Sequence, residues 1–207
     1  VFAVPLTEDA QLRPLEPWQA AEFLAHMDRA REYVDPWVPF AGLSTDLESA
    51  RAVLQRHADR RAADTGGIYG IWRDGVLVGG TLFVSLDARS GTCEVGCWLE
   101  RSAEGHGLVT RAIRHMIDWA FHERGLHRVQ WVNAAHNVRS AAVAQRLGMH
   151  LDGVLRSAFP YRGQRHDNQV WSVLVDEWPK KPTAAGATGP EGVRVPAGRD
   201  PAEPTPA

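Results

Sequence analysis

Cysteine is scarce, with two residues in 207, and that scarcity rules out a disulfide framework. Cys93 and Cys97 lie four apart in a segment of strand-like alternation, a separation of about 13 Å along extended chain. A disulfide cannot span it. Both are expected as reduced thiols in or near the core. The C-x-x-x-C spacing has no companion cysteine or histidine pair, and the nine histidines are scattered, so no metal is expected. Charge of one sign is not in excess either: 23 basic residues stand against 25 acidic ones, a formal net charge of -2. Neither nucleic acid nor an anionic membrane is therefore an expected partner, and any bound anion must be held locally. No apolar run approaches the roughly 20 residues of a membrane span. The opening VFAVPLTEDA has neither the charged start nor the apolar stretch of a secretory signal, which makes the cytoplasm the expected compartment. No internal repeat is present.

What the chain does have is 44% hydrophobic residues, enough for one well-buried core. From Pro179 onward the sequence is dense in Pro, Ala and Gly and almost without large apolar residues. Such a composition cannot bury enough surface to fold. The expectation is one domain over residues 1–178 and a disordered tail over 179–207.

Hydrophobic spacing orders the domain. QLRPL (11–15) reads as a short strand, and Pro17 suits the first turn of a helix with Trp18, Ala21, Leu24 and Met27 on one face. YVDPWVPF (33–40) reads as a loop whose prolines forbid a regular helix and whose aromatics can shape a pocket. Thr45 and Glu48 have capping-box spacing ahead of Leu47, Ala50, Leu54 and Ala58, announcing a second helix. GIYGIWR, Asp74-Gly75 and VLVGGTLFVSL form a hairpin pattern. CEVGCWL (93–99) is a strand, followed by a helix with Ala112, Ile113, Met116, Ile117 and Ala120 inward and Arg111, Arg114, Asp118 and His122 elsewhere. HRVQWVNA (127–134) is a strand, Arg139–Leu147 a short helix closed by Gly148, and LDGVLRSAF and NQVWSVLV are two more strands. The predicted order is β-α-α-β-β-β-α-β-α-β-β.

The stretch EGHGLVT (104–110) places Gly105 and Gly107 at the start of that third helix. Glycine inside a helix costs about 0.5–1 kcal/mol relative to alanine. One return is access, because the first N–H groups of a helix lack partners and carry the positive end of its dipole, so an anion that approaches closely finds donors aimed at it. The other reading is a tight turn between strand and helix. Gly107 is not followed by Lys-Ser/Thr, which excludes a Walker-type loop.

Strand CEVGCWL, loop ERSAEGHG, helix LVTRAIRHMIDWAF, strand VQWVNA and then NVRSAAVAQRLGM together resemble the GNAT superfamily of acyl-CoA-dependent N-acyltransferases, and within it the Rim-type ribosomal-protein N-terminal acetyltransferase branch. The likeness covers residues 10–176. Its specific part is the pairing of two motifs about thirty residues apart. The family's pyrophosphate loop, Gln/Arg-x-x-Gly-x-Gly/Ala, falls on Glu104, Gly107 and Val109, two of which depart from it, and His106 stands where the Rim branch has Lys. Glu104 thus puts a carboxylate beside a phosphate site. Asn137-x-x-Ser140, with Val143, Arg146, Leu147, Gly148 and Met149, matches the second motif.

The resemblance implies an α+β, three-layer fold: a mixed, mostly antiparallel central sheet with helices on both faces. It implies acetyl-CoA or another acyl-CoA as co-substrate, with backbone donors from Glu104, Gly105, His106, Gly107, Leu108, Val109 and Thr110 on the pyrophosphate. Cys97, Trp98 and Leu99 would line the thioester arm, and Asn137, Ser140 and Arg146 would bind beside it. Asn137 and Ser140 also suit a simple helix cap. A homodimer is compatible with the family.

Acyl transfer to an amine needs a neutral nitrogen, donors for an oxyanion and a proton for the departing thiolate. Glu94 is the expected base, the alternative being a solvent-facing glutamate on an alternating strand. Many family members supply the thiolate's proton from a Tyr, but position 144 is Ala, which leaves Ser140. Neither cysteine has a neighbouring His of the kind that activates a thiol. Trp37, Tyr161, His166 and Asp167 are candidates for acceptor binding. An α-amine of pKa 7.7–8.0 is deprotonated at neutral pH for about 1 kcal/mol, whereas lysine at 10.4 requires about 4–5 kcal/mol. A protein N-terminus or a small-molecule amine is therefore favoured over a lysine side chain. The competing readings are a non-catalytic acyl-CoA-binding module and an antibiotic or metabolite N-acetyltransferase. Acetyl is the family's usual group; a succinyl or longer chain would need a wide or arginine-bearing pocket near Trp98 and Trp37.

Overall fold

The computed structural model describes residues 3–38, 40–161 and 163–179. The predicted tail lies outside them, apart from Pro179. β1 (Val4–Pro5) and β2 (Ala10–Pro14) precede α1 (Ala20–Val34), α2 (Phe40–Leu43) and α3 (Leu47–Ala62). There follow β3 (Gly67–Arg73), β4 (Val76–Asp87), β5 (Thr92–Leu99), α4 (Leu108–His122), β6 (Arg128–Ala134), α5 (Val138–Arg146), β7 (His150–Tyr161) and β8 (Gln164–Leu174). The strands form one eight-stranded sheet in the order β1-β2-β3-β4-β5-β6-β8-β7. Every adjacent pair is antiparallel except β5 with β6. This is the expected mixed sheet. Among the described residues no helix is long and apolar enough to cross a membrane.

Each face of the sheet carries its own core. On one, the predicted stripe of α4 (Ala112, Ile113, Met116, Ile117, Ala120) packs with Cys93, Val95, Val129 and Trp131, joined by Ala144 of α5. On the other, Phe23, Met27, Ala30 and Val34 of α1 and Val53 and Leu54 of α3 cover Ile68, Trp72 and Trp98. Both cysteines are free, and burial pushes each thiol up to about 12. The Asp74-Gly75 turn has both residues at positive φ, 49° and 78°, as a two-residue hairpin with right-handed strand twist demands.

Several local expectations are corrected. The chain enters α1 through a 3-10 turn at Pro17–Gln19, whose three residues per turn shift the phase of the helical pattern. Trp18 and Ala21 are exposed in consequence, and Ala20, Phe23, His26, Met27, Ala30 and Val34 are the buried set. The cap of α3 is Asp46 with Ser49, not Thr45 with Glu48: Asp46 accepts from the Ser49 N–H at 2.8 Å, and the Ser49 hydroxyl accepts from the Asp46 N–H at 3.0 Å. Leu47 is exposed. The stretch 33–40 is not wholly a loop, because Tyr33 and Val34 complete α1 and Phe40 opens α2. Pro36 falls beyond the last turn of α1, where it interrupts nothing.

Candidate active site

The one parallel pair opens the site. β5 and β6 are in register from Thr92↔Arg128 to Val95↔Trp131 and no further, although β5 runs on to Leu99 along β4. Beyond Val95 the two strands diverge, which leaves the β6-facing edge of Gly96–Leu99 without a strand partner. A bound chain with amide groups can pair there.

β5 then feeds a 3-10 turn at Arg101–Ala103 and the glycine loop. Gly105 (φ 83°) and Gly107 (φ 70°) are both left-handed, and Gly107 is the N-cap of α4. The glycines therefore stand before the helix, not in its first turn as expected from sequence. Their backbone conformation, one that L-residues adopt at a cost, turns the chain sharply from strand into helix. The first intrahelical bond is donated by Arg111 to the Gly107 carbonyl at 3.0 Å. Leu108, Val109 and Thr110 thus keep N–H groups with no helical acceptor at the positive end of the dipole.

A cleft of about 850 Å³ runs along this loop, past the open edge of β5 to the start of α5, within the size range of ligand sites. Of the predicted cofactor-binding residues, Cys97, Trp98, Leu99, Glu104, Gly105, Gly107, Leu108, Val109, Thr110, Asn137, Ser140 and Arg146 border it. His106 does not; its side chain is exposed. The Trp98 indole is buried on the opposite face, donating to His26 Nε2 at 3.0 Å, so the main chain of Trp98 faces the cleft and its ring takes no part in an acyl pocket. Sequence reasoning missed Arg111, Arg114 and Arg139, which also border the cleft, as does Tyr33 of the 33–40 stretch whose aromatics were expected to shape a pocket. The available signal was Arg111 and Arg114 on the polar side of α4 just after the glycines, three apart and so on one helical face. With Arg146 they concentrate positive charge on a chain that is slightly acidic overall.

The Glu104 carboxylate is tied down. Tyr33 donates its hydroxyl to Glu104 Oε1 at 2.5 Å, and Arg139 Nη1 lies 3.6 Å from the same oxygen. Arg139 also donates to the Tyr33 hydroxyl and sits over its ring, 4.5 Å from the centroid.

A second cavity of about 600 Å³ lies beside the cleft, bordered by Glu94, Trp37, Tyr161 and His166. Trp37, Val38, Cys97, Asn137 and Ser140 border both spaces. Glu94 is partly buried at the meeting of β5 with β6, and burial raises its carboxyl above the ordinary range against a hydrogen bond with Gln130 that lowers it. Asn137 caps α5, accepting from the Ser140 N–H at 3.1 Å. Its capping role is real, and it leaves Nδ2 as a donor. The Trp131 indole, a donor only, gives its hydrogen to Ser140 Oγ at 3.0 Å. The Ser140 hydroxyl proton is consequently left for another acceptor.

Asp167 does not reach the cavity. On β8 it has the opposite parity to Gln164, His166 and Asn168, and its carboxylate accepts from the Ser157 N–H at 2.7 Å, holding the left-handed Ser157 (φ 52°) in a bulge of β7. Tyr161 donates its hydroxyl to the Asp35 carbonyl, fastening the cavity wall to the end of α1. His136, not foreseen, bridges two predicted residues, its ring 5.2 Å from Trp37 and 5.0 Å from His166.

Comparison with known proteins gives a consistent result. The acetyltransferase (GNAT) domain family matches residues 10–150. The "Putative ribosomal N-acetyltransferase YdaF" of Bacillus subtilis (strain 168) is 31% identical over 179 residues, 86% of this chain and 98% of that protein. A solved structure of a "Probable acetyltransferase" superposes with a TM-score of 0.78 at 28% identity, covering 86% of this chain and 99% of the other. RimL, a ribosomal L7/L12 alpha-N-protein acetyltransferase in complex with coenzyme A, shares the fold with a TM-score of 0.80 at 18% identity, over 84% of this chain and 99% of its own.

Proposed function

Because the chain belongs to the GNAT acetyltransferase family and is an acetyl-CoA-dependent N-acetyltransferase, we propose that residues 1–178 form a single catalytic domain moving an acetyl group onto the α-amine of a protein amino terminus, with a ribosomal protein, the substrate named for its relatives, as the acceptor class. The observation that carries this reading is the contact between two spaces. A donor cleft with free N–H groups and arginines meets an acceptor cavity at Cys97, Asn137 and Ser140. In the cleft, the N–H groups of Leu108, Val109 and Thr110 hold the pyrophosphate with Arg111, Arg114 and Arg146 beside it, and the open edge of β5 pairs with the amide arm. Arg139 and Tyr33 offset the carboxylate of Glu104, which lets the loop carry an acid where relatives carry a neutral or basic side chain.

Glu94 takes the proton of the incoming ammonium. Its raised pKa, caused by burial, brings it closer to the amine's and makes it a better base near neutral pH. The β5 main chain beside Cys97 stabilises charge on the thioester oxygen. Ser140, whose oxygen already accepts from the Trp131 indole, hands its own proton to the leaving thiolate and takes in its place the second proton that the nitrogen sheds on becoming an amide. The group passes directly, because the Cys97 thiol, pushed up to about 12 by burial, is too little ionised to act as a relay. Among the described residues Glu94 is the only carboxylate bordering the acceptor cavity. A single amine suits it, whereas a polycationic antibiotic would leave its other charges unpaired.

Thiol release from acetyl-CoA, measured across a panel of amines, tests the reading. Peptides with a free α-amine should turn over at least about tenfold faster than amino-terminally blocked peptides carrying an internal lysine. Faster reaction of the lysine peptides would defeat the α-amine assignment.

A further inference from the structure

Asn168 is the unanswered polar group of the acceptor cavity. Residues directly opposite one another in a sheet share a face, and the ladder runs from Glu94 to Gln130 on β6 and from Gln130 to Ser172 on β8. Alternation along β8 then puts Asn168, four residues from Ser172, on the face of Glu94, and it borders the same cavity. Its cross-strand neighbours are Ala134 on β6 and Leu155 on β7, whose side chains have nothing to offer a polar group. Asn168 is half-buried. Its side-chain amide makes no hydrogen bond among the described residues, and both polar atoms keep accessible surface. Glu94 and Asn168 stand too far apart to meet on one atom: two strand spacings, about 10 Å, lie between them across the sheet, and about 13 Å along it. Glu94 works on the nitrogen toward Cys97, where the two spaces meet. About 10 Å is then left to Asn168, or two to three residues of extended chain.

From this we infer that Asn168 is a specificity residue that reads the acceptor's backbone two to three residues past the reacting amine: its Nδ2 donates to a peptide carbonyl and its Oδ1 accepts from a peptide N–H. The inference rests on the amine-acetylating role proposed above and narrows it to polypeptide acceptors. A side-chain amide carries the same donor and acceptor as a peptide group, so the pair satisfies both without selecting a side chain. A small amine ends before it reaches Asn168 and leaves it unmet. Discrimination between a protein amino terminus and a metabolite amine thereby comes from the length of the acceptor, and not from the chemistry of the nitrogen. Gln164, exposed at the start of β8 on the same cavity wall, marks where the chain leaves.

The test is a length series in the full chain, with alaninamide and then amidated alanine peptides of two, three and four residues as acceptors, all bearing a free α-amine. In the unaltered chain KM for the acceptor should fall by about tenfold or more from alaninamide to the longest peptide. Asn168→Leu keeps the volume and removes both polar atoms. It should abolish most of that fall while leaving KM for alaninamide and KM for acetyl-CoA within about twofold. If Asn168→Leu does not fold, Asn168→Thr is read in the same way. A KM independent of length in the unaltered chain, a fall that the variant retains, or a rise in the variant that is equal for alaninamide and the longest peptide overturns the inference. Absence of thiol release by the unaltered chain with every acceptor would overturn the proposed function and this inference with it, an outcome distinct from turnover that ignores length.

Discussion

Glu94 carries the most chemistry per atom. Replacing it with glutamine keeps the shape and removes the base, and kcat should fall by about 10²–10⁴. The pH profile is the sharper readout. Burial raises the Glu94 pKa, so activity of the unaltered chain should decline on the acid side at a pH above that of an ordinary exposed glutamate, as the base becomes protonated. In Glu94→Gln that limb should disappear; its persistence would assign it to another group. At this scale the sequence was informative wherever a motif fixes a residue relative to the backbone: Cys97, Gly107, Asn137 and Ser140 all border the cleft. It failed where a site residue depends on which way a strand faces. Asp167 and His166 are neighbours, and only His166 lines the cavity. It failed also for Trp98, whose indole is drawn to the opposite face by His26. Arg139 and Tyr33 are 106 residues apart, and nothing local marks them as partners.

At the scale of elements, the loop before α4 is where geometry and ligand meet. Gly107 caps the helix at φ 70°, and an added Cβ would meet only Arg111 Nε at 3.9 Å, so the demand for glycine there is conformational. Gly107→Ala should destabilise the fold by about 1–2 kcal/mol and raise KM for acetyl-CoA more than KM for the amine, as thermal unfolding and steady-state kinetics would reveal. Loss of stability without any change in the acetyl-CoA constant would reduce the glycine to a turn. The long elements were legible from period alone, α4 above all, because its apolar stripe is unbroken. The face of α1 was misread for a definite reason, the 3-10 turn at Pro17–Gln19 that puts Trp18 out of helical phase and leaves it 76% exposed. β1, two residues long, and α2, four residues long, are too short to show a period.

At the scale of the molecule, the buried His26 and the half-buried His57 link stability to pH. Burial depresses His26 and His57 from 6.5 to about 4. His26 is neutral, accepting from Trp98 at Nε2 and presenting Nδ1 to Glu100 Oε2 at 3.3 Å. Between about 4 and 6.5 the unfolded chain binds more protons at these sites than the folded one, so stability is whole above 6.5 and is lost as pH falls toward 4. His26 should account for on the order of 2 kcal/mol, about 4–8 °C in Tm. His26→Gln, which keeps an acceptor for Trp98, should flatten that acid limb; an unaltered limb would place the linkage elsewhere. Contacts of this range set the two cavities as well. Tyr161 reaches the Asp35 carbonyl across 126 residues, and only the folded sheet brings the wall of the acceptor space against the donor cleft.

That juxtaposition makes direct transfer the central claim, and intact-mass spectrometry tests it most directly. The chain mixed with acetyl-CoA alone should keep its mass, and adding a peptide with a free amino terminus should then place one acetyl group on the peptide's α-nitrogen. A chain that becomes acetylated on Cys97 and afterwards passes the group to the peptide, or a peptide that stays unmodified, would contradict it.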